Sequence, residues 1–332
     1  MDVKTVNRIA LVGLGSIGKR HLRLLKVIRP EVEVILVRSG YGGRCPEESL
    51  SSASVSSIEA AIASGIDGAI ISSPAPYHVQ QAIQFARAEV PLLIEKPLSH
   101  NLLNVRELKN LANLMKIPIL VGYVLRHSED LIFLSRLLTK KVIGSLTDVS
   151  INCSSYLPDW RPNQDYRLTV SAQKDLGGGA LLELSHELDY ANWLFGPFQS
   201  VQAALSSQGV LGIDVEDTAD LTLSCSSGLK ASIHLDFYQR TSVRQCVITG
   251  EKGLLVWDGL THSVSQELNS GEVSKWSFSS DRDLKFLDQL KVFLSCIEDD
   301  AMPRVSLDDG VVVMELIEAA RKSNLSGNFV DL

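Results

Sequence analysis

Residues 8–28 read RIALVGLGSIGKRHLRLLKVI: an apolar β run, a GxGxxG turn and a stretch of helical period, in that order. Each glycine has a separate task in such a turn. Gly13 allows the tight bend, Gly15 lets backbone approach a pyrophosphate, and Gly18 lets the helix pack close to the strand. Ser16 and Ile17 open the helix, and its first amides face the anion. Four further runs, VEVILV, GAIISS, PLLI and PILVGY, are apolar without alternation and are separated by helical segments. Strands of this kind belong to a parallel sheet covered on both faces. The expected fold is therefore α/β, with a doubly wound Rossmann domain over residues 1–125.

A chain of 332 residues is too long for one ordinary core, so a second domain is expected over residues 126–332. The net charge is -7 and the basic residues are scattered, which excludes an electrostatic footprint for nucleic acid or an anionic membrane. The chain begins without a leader-like apolar segment and has no apolar run of the roughly 18 residues that span a bilayer, so a cytosolic protein is expected. Its five cysteines form no CxxC pair, which suggests neither a disulfide framework nor zinc, and no metal is expected.

The end of the second strand bears on the dinucleotide. NAD-preferring domains usually place an acid there, on the adenosine ribose. Here VILVRSG offers Arg38 and Ser39, which suit a 2′-phosphate. NADP is expected, with NAD as the alternative. Past the fourth and fifth strands, SSPAPYH and EKPL present Ser73, Pro74, His78, Glu95 and Lys96 where ligands of open α/β sheets sit.

In the second half, GGGALLELSHELDY precedes a stretch that reads as one helix over 180–195. Its wheel puts Leu181, Leu184, Leu188, Ala191 and Phe195 on the core face, and Glu183, His186 and Tyr190 opposite, with Asp189 about 60° from His186. Leu182 and Trp193 flank His186, giving the mixed surface of a cleft wall. The long connection YLPDWRPNQDYRL carries Trp160, Arg161, Tyr166 and Arg167, rings and guanidinium forks suited to a sugar bearing phosphate or nucleotide. The later runs ADLTLSCSS, LKASIHLDF, VRQCVITG and GLLVWDG alternate as an antiparallel meander, on which His234 and His262 stand isolated.

Taken together, GLGSIG, SPAPYH, EKPL, VGYVLRHS, GGGALLELSHELD and SLDDGVVVMELIEAARKS resemble, in this order, the glucose-fructose oxidoreductase, inositol dehydrogenase and MocA family of nicotinamide-dependent enzymes. The resemblance implies a second α/β domain with a large open, mostly antiparallel sheet through which subunits pair as a homodimer or homotetramer. It implies oxidation or reduction of a hydroxyl on a polyol, sugar or nucleotide-sugar. Lys96 and His186 become the catalytic pair. The family's usual Asp stands four residues before this histidine, whereas Glu183 stands three before it. Trp160 and Arg161 are assigned to the dinucleotide, and Tyr123, Arg126, Tyr166, Arg167, Asp189 and Tyr190 to the substrate with Lys96. Two other functions share the fold: a catalytically silent NAD(P)-binding regulator, and a glycoside cleaver or dehydratase using transient oxidation.

Overall fold

The computed structural model describes residues 5–40 and 43–332. Its first elements are β1 (Arg8–Val12), α1 (Ser16–Ile28), β2 (Glu33–Val37), β3 (Ala53–Val55), α2 (Ile58–Ala63), β4 (Gly68–Ile71), α3 (Ala75–Arg87), β5 (Leu92–Ile94), α4 (Val105–Met115) and β6 (Ile119–Val121). There follow α5 (Glu129–Thr139), β7 (Leu146–Ser154), α6 (Ala180–Glu183), α7 (His186–Phe195), β8 (Phe198–Ser206), β9 (Thr218–Cys225), β10 (Lys230–Asp236) and β11 (Val243–Gly250). The chain closes with β12 (Gly253–Asp258), β13 (Ser263–Leu268), β14 (Val273–Ser277), α8 (Leu284–Glu298), α9 (Leu307–Ser326) and β15 (Val330–Asp331). Two compact units result, one of residues 1–124 and 282–314, the other of residues 125–281 and 315–332. Segment 282–314, which the sequence reading leaves with the second domain, thus clusters with the first. No helix among the described residues is long and apolar enough to cross a membrane.

The first unit is a parallel six-stranded sheet in the order β3-β2-β1-β4-β5-β6. The five expected strands are present, and β3 is an addition, three residues long and largely exposed. Arg8 pairs in register with Glu33, and their side chains join at 2.7 Å, which anchors the start of β1 on β2. Beyond that pair both strands are wholly buried, because helices cover them. One cover is α8, whose Phe286, Leu290, Phe293, Leu294 and Ile297 join Ile9, Leu11, Leu22 and Leu25 in the core. Each such side chain contributes about 1.5–3 kcal/mol by leaving water. Gly68 on β4 makes room for α8, since a Cβ there would stand 2.7 Å from Ile297 Cδ1.

The second unit is built on a nine-stranded sheet, β14-β13-β12-β11-β7-β10-β9-β8-β15. It is antiparallel except that β7 runs parallel to β10. This corrects the simple meander: β10 and β11 are consecutive in the chain, but β7 enters between them. His262 falls in the turn before β13, and neither histidine is isolated. His234 lies 2.6 Å from Asp220 and 3.1 Å from Asp236, while His262 Nδ1 is 3.3 Å from Asp130.

The single helix expected over 180–195 is also corrected. It is two helices, because the backbone tightens at the joint: Ser185 N–H donates to Leu182 O and Glu187 N–H to Leu184 O, three residues back. A tightened turn advances about 120° per residue and not about 100°, so one wheel cannot describe both halves. Ahead of α6, Gly179 holds φ +110°, and a Cβ would meet Glu216 Oε1 at 2.3 Å. Glu216 uses that space to cap α6, its carbonyl accepting from Ala180 N–H and its carboxylate from Leu181 N–H. Burial raises this carboxyl above its usual pKa.

The glycine turn gives the sharpest test of packing. A Cβ on Gly18 would stand 2.3 Å from Gly13 O and 2.7 Å from Ser72 Oγ. Gly18→Ala is expected to cost about 1–3 kcal/mol by overpacking, read as a lowered urea midpoint at unchanged slope.

Candidate active site

In the first unit the chemistry-bearing residues collect at the carboxyl ends of β1, β2, β4 and β5. Gly13 takes φ +84°, with Ser72 O 2.9 Å from where a Cβ would stand. Ser72 Oγ donates toward Val12 O at 2.8 Å and Gly13 O at 2.9 Å, so this buried hydroxyl pins the turn. Gly15 differs from its neighbours, since nothing described lies within 4 Å of its Cβ position. Gly15 and Ser16 are exposed, and α1 starts at Gly15 without a side-chain cap, its first amides open to an incoming anion. Packing requires Gly13 and Gly18, while the space beside Gly15 fits the pyrophosphate of a dinucleotide.

The EKP turn is held from both sides. Glu95 is buried and its Oε1 lies 2.6 Å from Nε2 of the fully buried His21 of α1. Its Oε2 accepts from the Lys96 backbone N–H at 3.2 Å. Gly122 leaves room for this carboxylate, as a Cβ would come 2.9 Å from Oε2. On the other side His78 is buried, with its ring nitrogens 2.9 Å from Pro97 O and 2.7 Å from Ser73 O. Burial pulls its pKa below the usual histidine value. The His78 side chain holds backbone and that of Glu95 holds His21 and the Lys96 N–H, while Lys96 itself is half-buried. Ser73 Oγ donates to Gln81 Oε1 at 2.6 Å, and Pro74 precedes α3. Arg38 is half-buried, ion-paired with Glu48 and bonded to Gly43 O at 2.9 Å; Ser39 beside it is exposed.

In the second unit, every residue from 177 to 191 is buried except Glu183 and His186. The polar groups expected beside them have other duties. Asp189, fully buried, receives a two-armed ion pair from Arg126, with Nη2 at 2.7 Å and Nε at 3.0 Å. The Arg126 guanidinium also lies 5.8 Å from the Trp193 ring centre. Glu187, also fully buried, is ion-paired with Arg244 of β11. Tyr190 packs edge-on against Trp257 at 5.4 Å, and burial together with the Glu187 charge raises its phenol well above the ordinary value. Tyr123, in the first unit, is likewise fully buried. Tyr123, Arg126, Asp189 and Tyr190 are thus all buried, and Arg126 and Asp189 hold each other. Glu183 accepts from Ser171 Oγ at 3.2 Å and His186 is the first residue of α7.

The connection between β7 and α6 is a chain of short 3₁₀ turns. Trp160 Nε1–H donates to Ser155 Oγ, and its ring meets Phe237 edge-on. Tyr166 OH donates to Leu211 O, and exposed Arg167 is paired with Asp165 at 2.8 Å. Arg161 is exposed. Three residues of these sites escaped the sequence reading: Ser72, His21 and Glu48. The histidine of GKRH and the first serine of IISS had visible signals, being a polar residue on a buried helix face and a hydroxyl at a strand end.

Asp189→Ala is expected to destabilise the protein by about 3–5 kcal/mol, because it removes the carboxylate facing a buried guanidinium. Glu183→Gln and His186→Ala, at half-exposed positions, should stay within about 1 kcal/mol of the parent. Denaturant unfolding of the three variants separates framework from chemistry.

Two family models match the chain. Residues 7–123 match "Oxidoreductase family, NAD-binding Rossmann fold", and residues 133–256 match "GFO/IDH/MocA C-terminal domain". A myo-inositol 2-dehydrogenase of Thermotoga maritima is 25% identical over 95% of this chain and 96% of its own length. An uncharacterized oxidoreductase of Synechocystis is 29% identical over 58% of this chain, a match spanning 54% of that relative. Among solved structures, levoglucosan dehydrogenase in complex with NADH and levoglucosan shares the fold at TM-score 0.86 and 18% identity, over 98% of this chain and 99% of its own. The WlbA dehydrogenase from Chromobacterium violaceum, in complex with NADH and UDP-GlcNAcA, does so at 0.81 and 23%, over 100% and 99%.

Proposed function

Since the chain belongs to the glucose-fructose oxidoreductase, inositol dehydrogenase and MocA family of NAD-binding oxidoreductases, we propose that it transfers hydride between a nicotinamide dinucleotide and a secondary hydroxyl or ketone of a sugar, inositol or nucleotide-sugar. The observation that carries this reading is the burial pattern of GGGALLELSHELDYA, which leaves only Glu183 and His186 uncovered. A solvated helix face would show its charged residues together. Here the carboxylates of Glu187 and Asp189 are paired inside, and the His186 imidazole is only partly covered.

A bound nicotinamide supplies the hydride acceptor or donor. Gly15, Ser16 and the α1 amides hold the pyrophosphate, and the Lys96 ammonium donates a hydrogen bond to the reacting oxygen. His186 takes the hydroxyl proton in oxidation and returns it in reduction, a task suited to an imidazole, which can both accept and donate a proton. Glu183, three residues before His186, accepts from Ser171 Oγ. Substrates named for the relatives, an inositol, an anhydrosugar and a UDP-sugar, define the panel to test. Arg38 and Ser39 speak for NADP as the dinucleotide, and the carboxylate of Glu48 speaks for NAD. The outward face of the nine-stranded sheet, where Gln202, Asp220, Thr222, Ser232 and His234 line a polar groove, supports pairing of subunits through that face.

The test is turnover of this panel, followed by reduced-nicotinamide absorbance. His186→Ala is expected to lower turnover by about 10²- to 10⁴-fold, the span of general acid–base catalysis, and to leave dinucleotide affinity within about threefold. Full turnover in His186→Ala refutes the assigned base, and loss of dinucleotide binding makes His186 part of the wrong site.

A further inference from the structure

The end of β2 carries no acid in sequence, yet it carries one in space. The segment after the strand turns back through a 3₁₀ turn, Pro46–Leu50, whose Glu48 is ten residues beyond Arg38. Glu48 Oε1 accepts both from the Arg38 guanidinium and from the Cys45 backbone N–H, the latter at 3.1 Å. That backbone bond, and then Arg38 and Arg44, hold its carboxyl below the usual carboxylate range, so it is anionic at neutral pH. The second arm of Arg38 reaches Gly43 O at 2.9 Å, and the Arg38 backbone N–H donates to Val55 O of β3 at 3.0 Å. Glu47, one residue earlier, ties the turn to the first turns of α1 through Lys19 at 3.5 Å. Strand end, glycine-turn helix and 3₁₀ turn thus form one connected corner.

This corner is where a Rossmann domain meets the adenosine ribose, and where an acid accepts the 2′-hydroxyl while a free arginine receives a 2′-phosphate. Arg38 is not presented as a free arginine. Its charge is matched by a carboxylate that stays at the same corner, and a 2′-phosphate brought there has to displace Glu48 and then remain beside it as a like charge.

We propose that Glu48 is the residue that sets dinucleotide choice: by holding Arg38 and keeping a carboxylate at the β2 corner, it makes the site favour NAD(H) over NADP(H). This rests on the oxidoreductase reading above. It goes beyond that reading by naming which side chain selects the cofactor, and it reverses the preference that Arg38 and Ser39 alone imply. The pair is partly exposed, with 17% and 29% of the two side chains accessible, so Arg38 can be released by a single substitution without opening the core.

The experiment is titration of the full chain with NADH and with NADPH, followed by calorimetry, for the parent, Glu48→Gln, Glu48→Ala and the double variant Arg38→Ala/Glu48→Ala. Glu48→Gln keeps the shape and removes the charge. The parent is expected to bind NADH more tightly than NADPH by about tenfold or more, the worth of one repelled charge at a partly exposed site. Both single variants should raise NADPH affinity by about tenfold and hold NADH affinity within about threefold, and the double variant should lose the NADPH gain. A parent that prefers NADPH, or an unchanged NADPH affinity in both single variants, overturns the proposal while leaving the oxidoreductase reading intact. A parent that binds neither nucleotide overturns that reading, and the role of Glu48 falls with it.

Discussion

The second unit depends on charges that α7 carries into the interior. Glu187 and Asp189 are both fully buried and lie two positions apart, about 200° around a helix. Glu187 is held by Arg244 from the sheet, Asp189 by Arg126 from the segment before α5. Neither pair needs to add net stability, since desolvation consumes most of the attraction. Separating either one, however, leaves an uncompensated buried charge. Two such pairs on opposite sides of one helix leave it a single rotation. His186, at the head of α7, is thereby held in place by these buried pairs.

The first unit uses the same economy with neutral and shared-proton contacts. Ser72 ties the glycine turn to β4, His21 meets Glu95, and His78 meets the carbonyls of Ser73 and Pro97. All are buried, and all hold backbone in place near the strand ends. A polar residue near a ligand site is thus more often an instrument of position than of contact. Lys96 is placed by the bonds of its own backbone and of its two neighbours in sequence.

What the sequence revealed follows the range of the interactions involved. The glycine turn, the five apolar strands and the alternating strands of the second sheet are local patterns, and each was legible. β3 was not, because three largely exposed residues carry no apolar signal. The insertion of β7 between β10 and β11 rests on pairings such as Val149 with Ala231, more than 80 positions along the chain, and periodicity is blind to them. The helix over 180–195 divided because two backbone bonds shortened at Leu184 and Ser185, a change of phase that no residue type announces. Asp189 and Tyr190 then turned inward although the wheel put them near His186.

The arginines show why the site was harder to read than the fold. From sequence, Arg38 and Arg167 look like anion receptors and Arg126 is assigned to substrate, but each is already engaged by a carboxylate, Arg38 by Glu48, Arg126 by Asp189 and Arg167 by Asp165. With 39 acidic side chains against 32 basic ones, an arginine in this chain has acids within reach more often than not. The decisive quantity is how cheaply the pair separates. Arg126 and Asp189 are 5% and 0% exposed and cannot exchange partners without burying a lone charge. Arg38 with Glu48, and Arg167 with Asp165, sit where water can screen and replace either partner, so each pair separates cheaply. Only arginines of the second kind can trade a carboxylate for a ligand, and exposure of the pair, more than the presence of the guanidinium, marks a residue capable of recognition.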